Sequence, residues 1–197
     1  MTTTPFSESR ADIGTLKHLD DIVRVFQDDF EICVQTHHEH EIQFWRRAFV
    51  RTVFAFIEGT TASMKRIAAD SYHQPDARFS LAELALVAEE AYELNDKGEA
   101  VTLPAKIPVT KNIRFAFNVF ARTYSINYQL KVDDNRWADL RAGLKVRDRL
   151  MHPKRVEDLV VSDEDLALVR SAAYWFLDNI KACVRLAIEM HSKEAGG

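Results

Sequence analysis

Two side chains able to carry phosphate and acid–base chemistry lie close together near the end of a helical pattern, at Arg147 and His152. Arginine has a permanent charge and a planar set of N–H donors that suits a phosphate, and histidine exchanges a proton near neutral pH. Five residues of an ideal helix would turn the two side chains apart. Because Pro153 disfavours helical dihedrals at the residue before it, we expect His152 to leave the helix and turn back toward Arg147. Asp148 is placed to orient either side chain by a hydrogen bond.

The same residues, 147–152, also fit an ordinary charged helix end, since arginine and histidine at this spacing arise easily by chance. A local excess of positive charge favours the phosphate interpretation. Residues 136–155 contain seven Lys and Arg against two Asp, a charge of +5, whereas the whole chain has a net charge of −4. The helix dipole attracts cations to helix C-termini, but two of these arginines lie early in the helix. We therefore predict that Arg141, Arg149 and Lys154 bind phosphates flanking the motif.

The motif, followed by a final long helical pattern, resembles the Arg-x(4–6)-His motif of the HEPN family. These all-α domains occur in RNA-cutting toxins, phage-defence proteins and nucleotide-handling modules. The resemblance is specific over residues 134–155 and elsewhere rests on the order of the helices. It implies a catalytic set of Arg147, Asp148 and His152 that uses no metal and no cofactor. It also implies a homodimer in which two motifs face one shallow cleft.

The resemblance leaves two functions open. In the first, the protein is a metal-independent endoribonuclease of toxin or phage-defence type, with His152 as base or acid and Arg147 stabilising the phosphate charge. In the second, it is a non-catalytic module that binds a nucleotide or a protein partner such as an antitoxin or regulator. The acidic net charge and the lack of an asparagine directly after Arg147 favour the second function. The expected partners are therefore RNA or a nucleotide, a second copy of the chain, and a protein.

Length and composition indicate one all-α domain. A chain of 197 residues can bury a sizeable core, and 6 Gly and 5 Pro are too few for a turn-rich β architecture. Apolar residues at helical spacing predict an up-and-down bundle of four main helices. We predict a flexible N-terminus over residues 1–12, a single domain over 13–192 with a helical insertion at about 72–109, and a flexible tail over 193–197. A Ser80 capping box is predicted to open the insertion helix, which runs through about Leu94.

Two residues inside helical patterns call for a partner. Glu58 follows an apolar pair, and if it is buried it needs a cation, for which an arginine of the motif helix is one candidate. The alternative is a surface carboxylate. Gly143 is less favourable than alanine in a helix by ~1 kcal/mol. It therefore predicts the close approach of another backbone, with a second subunit as a candidate.

The remaining candidate ligands predict no cofactor. His37, His38 and His40 lie together at a helix corner and suggest a metal, but no matching cluster appears elsewhere, so we predict a solvated, metal-free corner. Cys33 and Cys183 lie in apolar helical patterns and are predicted to be buried free thiols of a reducing compartment. No apolar run approaches the ~18 residues of a membrane helix. These features predict a cytoplasmic protein with no membrane partner.

Overall fold

Long amphipathic helices make up most of the computed structural model, which describes residues 13–40, 43–70 and 79–195. In chain order its elements are α1 (Ile13–His40), α2 (Gln43–Asp70), α3 (Leu81–Val87), β1 (Glu90–Leu94), β2 (Ala100–Pro104), α4 (Val109–Thr123), α5 (Asn135–Met151), a 3-10 turn (Val156–Leu159) and α6 (Asp163–Ala195). The predicted all-α fold class is confirmed. Of the helices described, five have 15 or more residues, one more than the four main helices predicted.

The first two helices pack against each other in opposite directions. The rings of Phe26 and Phe56 lie 5.6 Å apart, and those of Phe30 and Phe49 also lie 5.6 Å apart. A later residue of α1 thus meets an earlier residue of α2, which makes the pair antiparallel, as expected in an up-and-down bundle. The packing arises because apolar residues of α1 recur every three or four positions and are buried on one face, among them Leu16, Leu19 and Val23.

The motif helix α5 runs antiparallel along α6, and Gly143 sets how closely it lies. A Cβ atom built on Gly143 would be 3.4 Å from the Phe54 ring of α2 and 3.4 Å from the Val169 side chain of α6. The prediction was the close approach of another backbone, but the nearest atoms are side chains of the same chain, and the one backbone atom nearby, Val169 Cα, lies at 3.8 Å. The suggestion that a second subunit explains Gly143 is replaced by this intrachain contact.

The insertion differs from its prediction in its second half. The capping box is present, since Ser80 Oγ accepts from the Glu83 N–H at 3.3 Å. The predicted helix through Leu94 is wrong, however, because α3 ends at Val87 and a β-hairpin follows. Glu89 has φ of 58°, a left-handed conformation that a right-handed helix cannot continue through.

A four-residue turn closes this hairpin. The Asn95 side-chain oxygen accepts from the Lys97 and Glu99 N–H groups, both at 3.0 Å, and Gly98 has φ of 76°. The residues after Leu94, where the predicted helix was to end, instead turn β1 back onto β2. Tyr92 pairs with Thr102 across the two strands.

Side chains at the start of α2 hold the segment between α5 and α6. The Gln43 amide donates to the Val161 carbonyl at 3.0 Å and accepts from the Val161 N–H at 2.8 Å. Arg46 also donates to Val161 O at 3.1 Å, and Arg47 donates to Leu159 O at 3.2 Å. The chain leaving the motif is thus tied to a second helix before Ser162 caps α6.

The ends of the predicted domain are only partly described. Helix α6 continues to Ala195, three residues past the predicted boundary at residue 192. Residues 1–12 and 196–197 lie outside the described residues. None of the helices in the described ranges is long and apolar enough to cross a membrane.

Candidate functional site

The motif arginine reaches from α5 to α2. Arg147 Nη2 donates to Glu58 Oε1 at 2.5 Å, and Nη1 donates to Asp148 Oδ1 at 3.0 Å. The Arg147 side chain is 26% exposed and that of Glu58 is 40% exposed. The structure thus gives Glu58 an arginine partner from the motif helix, one of the two alternatives considered, and it places Asp148 beside the arginine. A phosphate could bind Arg147 only in competition with these two carboxylates.

The motif histidine lies at the end of α5. His152 has φ of −132° and ψ of 57°, and its N–H donates to the Asp148 carbonyl as the C-cap residue. It has therefore left the helix, as Pro153 requires. The side chain is exposed and is not among the residues that line the cleft beside Arg147. As lined by the described residues, the cleft beside Arg147 thus does not include His152.

The predicted phosphate-binding residues have three different environments. Arg149 donates to Asp165 Oδ2 at 2.5 Å and to the Val160 carbonyl at 2.9 Å, so it holds the start of α6. This contact also lowers the pKa of Asp165, although burial of that carboxyl opposes the shift. Lys154 is exposed on the loop after the motif. Arg141 instead lines a cleft between α4 and α5.

This cleft is basic, and we call it the basic cleft. It has a volume of about 490 Å³ and is lined by Thr110, Lys111, Arg114, Val132, Trp137 and Arg141. No carboxylate lines it, and its three cations form no ion pair with any residue in the described ranges. The guanidinium of Arg114 lies over the Trp137 ring, 5.5 Å from the ring centroid. Such a cleft can attract and hold phosphate groups.

Lys111 and Arg114 were not among the predicted site residues, because the charge excess that suggested a site was that of the motif helix alone. The available signal was their i, i+3 spacing, which places both side chains on one face of α4. Burial of Ile113, Phe117 and Phe120 occupies another face of this helix. The basic cleft forms because that burial turns Lys111 and Arg114 toward Arg141.

A second cleft of about 320 Å³ lies on the other side of the first turn of α4 and has mixed charge. Arg147, Glu58, Glu89 and Asn112 are among the residues that line it. Lys65, buried in α2, pairs with Glu89. Its hydrogen bond lowers the pKa of Glu89 in spite of partial burial of that carboxyl, and the Lys65 charge and a hydrogen bond from Asn112 act in the same direction. The positive charges here are matched by carboxylates, so this cleft suits an anion less well than the basic cleft.

Metal and thiol chemistry find little support in the described part of the chain. No group of three His, Cys, Asp or Glu residues there could hold a metal ion. The side chains of the predicted histidine corner lie outside the described residues. Cys183 is a buried free thiol, and burial raises its pKa to about 12. Cys33 is also free, but it is only partly buried.

Comparison with known proteins assigns no family. No family model, no curated protein and no solved structure matches this chain. The likeness to HEPN domains therefore stays a prediction from residues 134–155.

Proposed function

We propose that this protein is a HEPN-like helical module that binds RNA or a nucleotide through the basic cleft and does not cut it. The observation that carries the proposal is the convergence of Lys111, Arg114 and Arg141 on one cleft without a carboxylate among its lining residues. Unpaired cations around a concave surface favour phosphate binding, because a bound phosphate replaces only water and counterions. The net charge of −4 does not oppose this, since the body of the protein can be acidic while the cleft is positive.

The state of the motif supports binding over cleavage. A general base must lie within hydrogen-bonding reach of the proton it removes, and the phosphate must lie beside the arginine. Arg147 is engaged by Glu58 and Asp148, and His152 does not line the Arg147 cleft. The Arg147 cleft, as lined by the described residues of one chain, therefore offers no assembled pair for the transfer of a proton at a bound phosphate.

The endoribonuclease remains a second candidate for one specific reason. His152 is exposed outside the helix, with Lys154 and Arg155 also exposed on the same loop. A second chain could bring a histidine to a phosphate held by the first, and a two-fold homodimer is the commonest symmetric assembly. This candidate requires both a dimer and a cleavage activity that depends on His152.

A binding experiment tests the proposal. Fluorescence anisotropy of a labelled single-stranded RNA would be followed against protein concentration at several salt concentrations. Each phosphate contact contributes about −0.7 to the slope of log K against log salt, so three contacts predict a slope near −2. The triple variant Lys111→Ala, Arg114→Ala, Arg141→Ala should lose at least about tenfold in affinity and flatten this slope.

A charge-matched control separates the cleft from general electrostatics. Lys17→Ala, Arg51→Ala, Arg66→Ala removes one lysine and two arginines that are exposed on α1 and α2. Both triple variants should melt near the wild-type temperature, because exposed positions change stability by less than ~0.5 kcal/mol each. Equal loss of binding in the two variants, or no binding by the wild type, would refute the proposal.

The same RNA analysed on a denaturing gel tests the second candidate. Cleavage by the wild type that disappears in His152→Ala would establish the endoribonuclease in place of the binding module. An intact RNA at saturating protein would exclude it and agree with the proposal.

A further inference from the structure

Arg114 occupies a special position in the basic cleft because an aromatic ring lies behind its guanidinium. Its Cζ atom is 5.5 Å from the centroid of Trp137. Trp137 is only 9% exposed, and its ring lies 5.1 Å from that of Trp175. The Trp175 indole in turn donates to the Lys131 carbonyl at 3.1 Å. Arg114 therefore rests on a largely buried tryptophan that is in tilted contact with a second, hydrogen-bonded tryptophan.

This arrangement leaves Arg114 free to contact a ligand. The residue is exposed, and within the described ranges it makes no ion pair that would occupy its N–H donors. A guanidinium is planar and weakly hydrated, so a face not covered by protein can stack on a flat ring. A lysine ammonium has the same charge but no such face. The cleft thus combines a stacking surface on Arg114, which lies over Trp137, with two further cations, Lys111 and Arg141.

We infer that the basic cleft takes an unpaired nucleobase, which stacks on Arg114 while Lys111 and Arg141 hold the phosphates on either side. The inference rests on the proposed function and narrows its ligand to single-stranded RNA. In a duplex the base faces are covered by neighbouring bases, so Arg114 could not reach them. The cleft volume of about 490 Å³ falls in the range of small-ligand sites.

Two strands of equal charge provide the test. One is a labelled ten-nucleotide RNA, and the other has the same backbone with abasic residues throughout. The variant Arg114→Lys keeps the charge and removes the planar face, whereas the matched control Arg141→Lys keeps the charge at a position assigned to phosphate. Stacking of one base on an aromatic side chain changes affinity by about five- to 150-fold, which sets the scale for stacking on a guanidinium. We expect Arg114→Lys to weaken binding of the normal strand within this range and to leave binding of the abasic strand unchanged.

The control and the duplex complete the design. Arg141→Lys should affect the normal and abasic strands equally, and a ten-base-pair duplex should bind the wild type more weakly than the single strand. Equal affinity of the wild type for normal and abasic strands would overturn the inference while leaving a phosphate-binding cleft. So would an equal effect of Arg114→Lys on both strands. If the wild type binds none of the three probes, the proposed function itself is refuted.

Discussion

Lys65 provides the sharpest test of the energetics around the second cleft, because it is a charge buried inside the bundle. Its side chain is 2% exposed, whereas that of its partner Glu89 is 55% exposed. Replacing Glu89 with Gln keeps the shape of the side chain but leaves the ammonium without a counter-ion. Removing one partner of a fully buried pair costs about 3–5 kcal/mol. Because Glu89 itself is partly exposed and the oxygen of a Gln amide can still accept a hydrogen bond from Lys65, we expect Glu89→Gln to lower the free energy of unfolding by about 2 kcal/mol.

Replacing Lys65, the other partner of the pair, should destabilise the protein less. Lys65→Met removes the buried charge, fills much of the same volume, and leaves a Glu89 carboxylate that water can solvate. We therefore expect Lys65→Met to cost less than about 1 kcal/mol. The double variant should be close to Lys65→Met alone, because Glu89 then has no ammonium to neutralise.

Urea unfolding followed by far-UV circular dichroism measures these differences as shifts of the midpoint at constant slope. In a thermal melt, Glu89→Gln should lower the Tm by roughly 4–8 °C. Glu93→Gln, an exposed change in the strand β1 that follows Glu89, is the matched control and should be neutral. The reasoning is refuted if Lys65→Met destabilises the protein more than Glu89→Gln does, or if Glu89→Gln is neutral.

The stability contributed by the Lys65–Glu89 pair should depend on pH in a defined direction. The hydrogen bond from Lys65 lowers the pKa of Glu89 in the folded protein. The stability that this carboxylate contributes is present above the unfolded pKa of about 4.3 and is lost as the pH falls through the lower folded value. The difference between wild type and Glu89→Gln should therefore shrink below about pH 4.

Three further predictions concern positions away from the basic cleft. Gln43→Ala removes two hydrogen bonds to Val161. It should therefore lower the free energy of unfolding in urea by about 1–2 kcal/mol and speed hydrogen exchange of the Val161 amide. Unchanged exchange would show that Gln43 does not hold Val161 in place. Gly143→Ala should change the free energy of unfolding by less than ~1 kcal/mol, since its Cβ would make contacts of 3.4 Å and alanine favours a helix. Gly143→Leu should lower the free energy of unfolding by at least ~2 kcal/mol through overpacking. Equal melting temperatures for both variants would contradict the close packing at residue 143. The hydrogen bond from Arg122 lowers the pKa of Glu83 to about 2, so its stabilisation should be lost as the pH falls from about 4.5 toward 2, and Glu83→Gln should flatten the unfolding free energy over that range.

The helices were predictable because apolar residues, which become buried, recur in the sequence with the helical period. The hairpin was not, since Glu90–Leu94 contains good helix formers such as Glu, Ala and Leu. The left-handed Glu89 ends the helical path, and it is held by Lys65, which lies 24 residues earlier in the chain. Lys65 itself lies in an apolar pattern where a lysine ordinarily indicates a helix face near solvent. A contact between distant parts of the chain thus decided a local structure.

The site was predictable only in part for a related reason. A count of charges along one segment gave Arg136 and Arg149 the same weight as Arg141. In the fold, Arg136 pairs with Asp134 and Asp178, and Arg149 pairs with Asp165. Arg141 has no such partner in the described ranges, and it meets cations from α4. Which charges are neutralised depends on how the helices pack, and sequence alone does not give that.

The β-hairpin has a consequence for how copies of this protein behave at high concentration. Both outer edges of the two-stranded sheet carry backbone groups with no strand beside them in the described residues, and Tyr92, Leu94 and Leu103 are exposed on it. Such edges can add a strand from another molecule. Residues 90–99 contain four acidic side chains and one lysine, so two hairpins that approach each other meet like charge. The acidic hairpin therefore protects colloidal stability, and this protection should weaken as salt screens the repulsion.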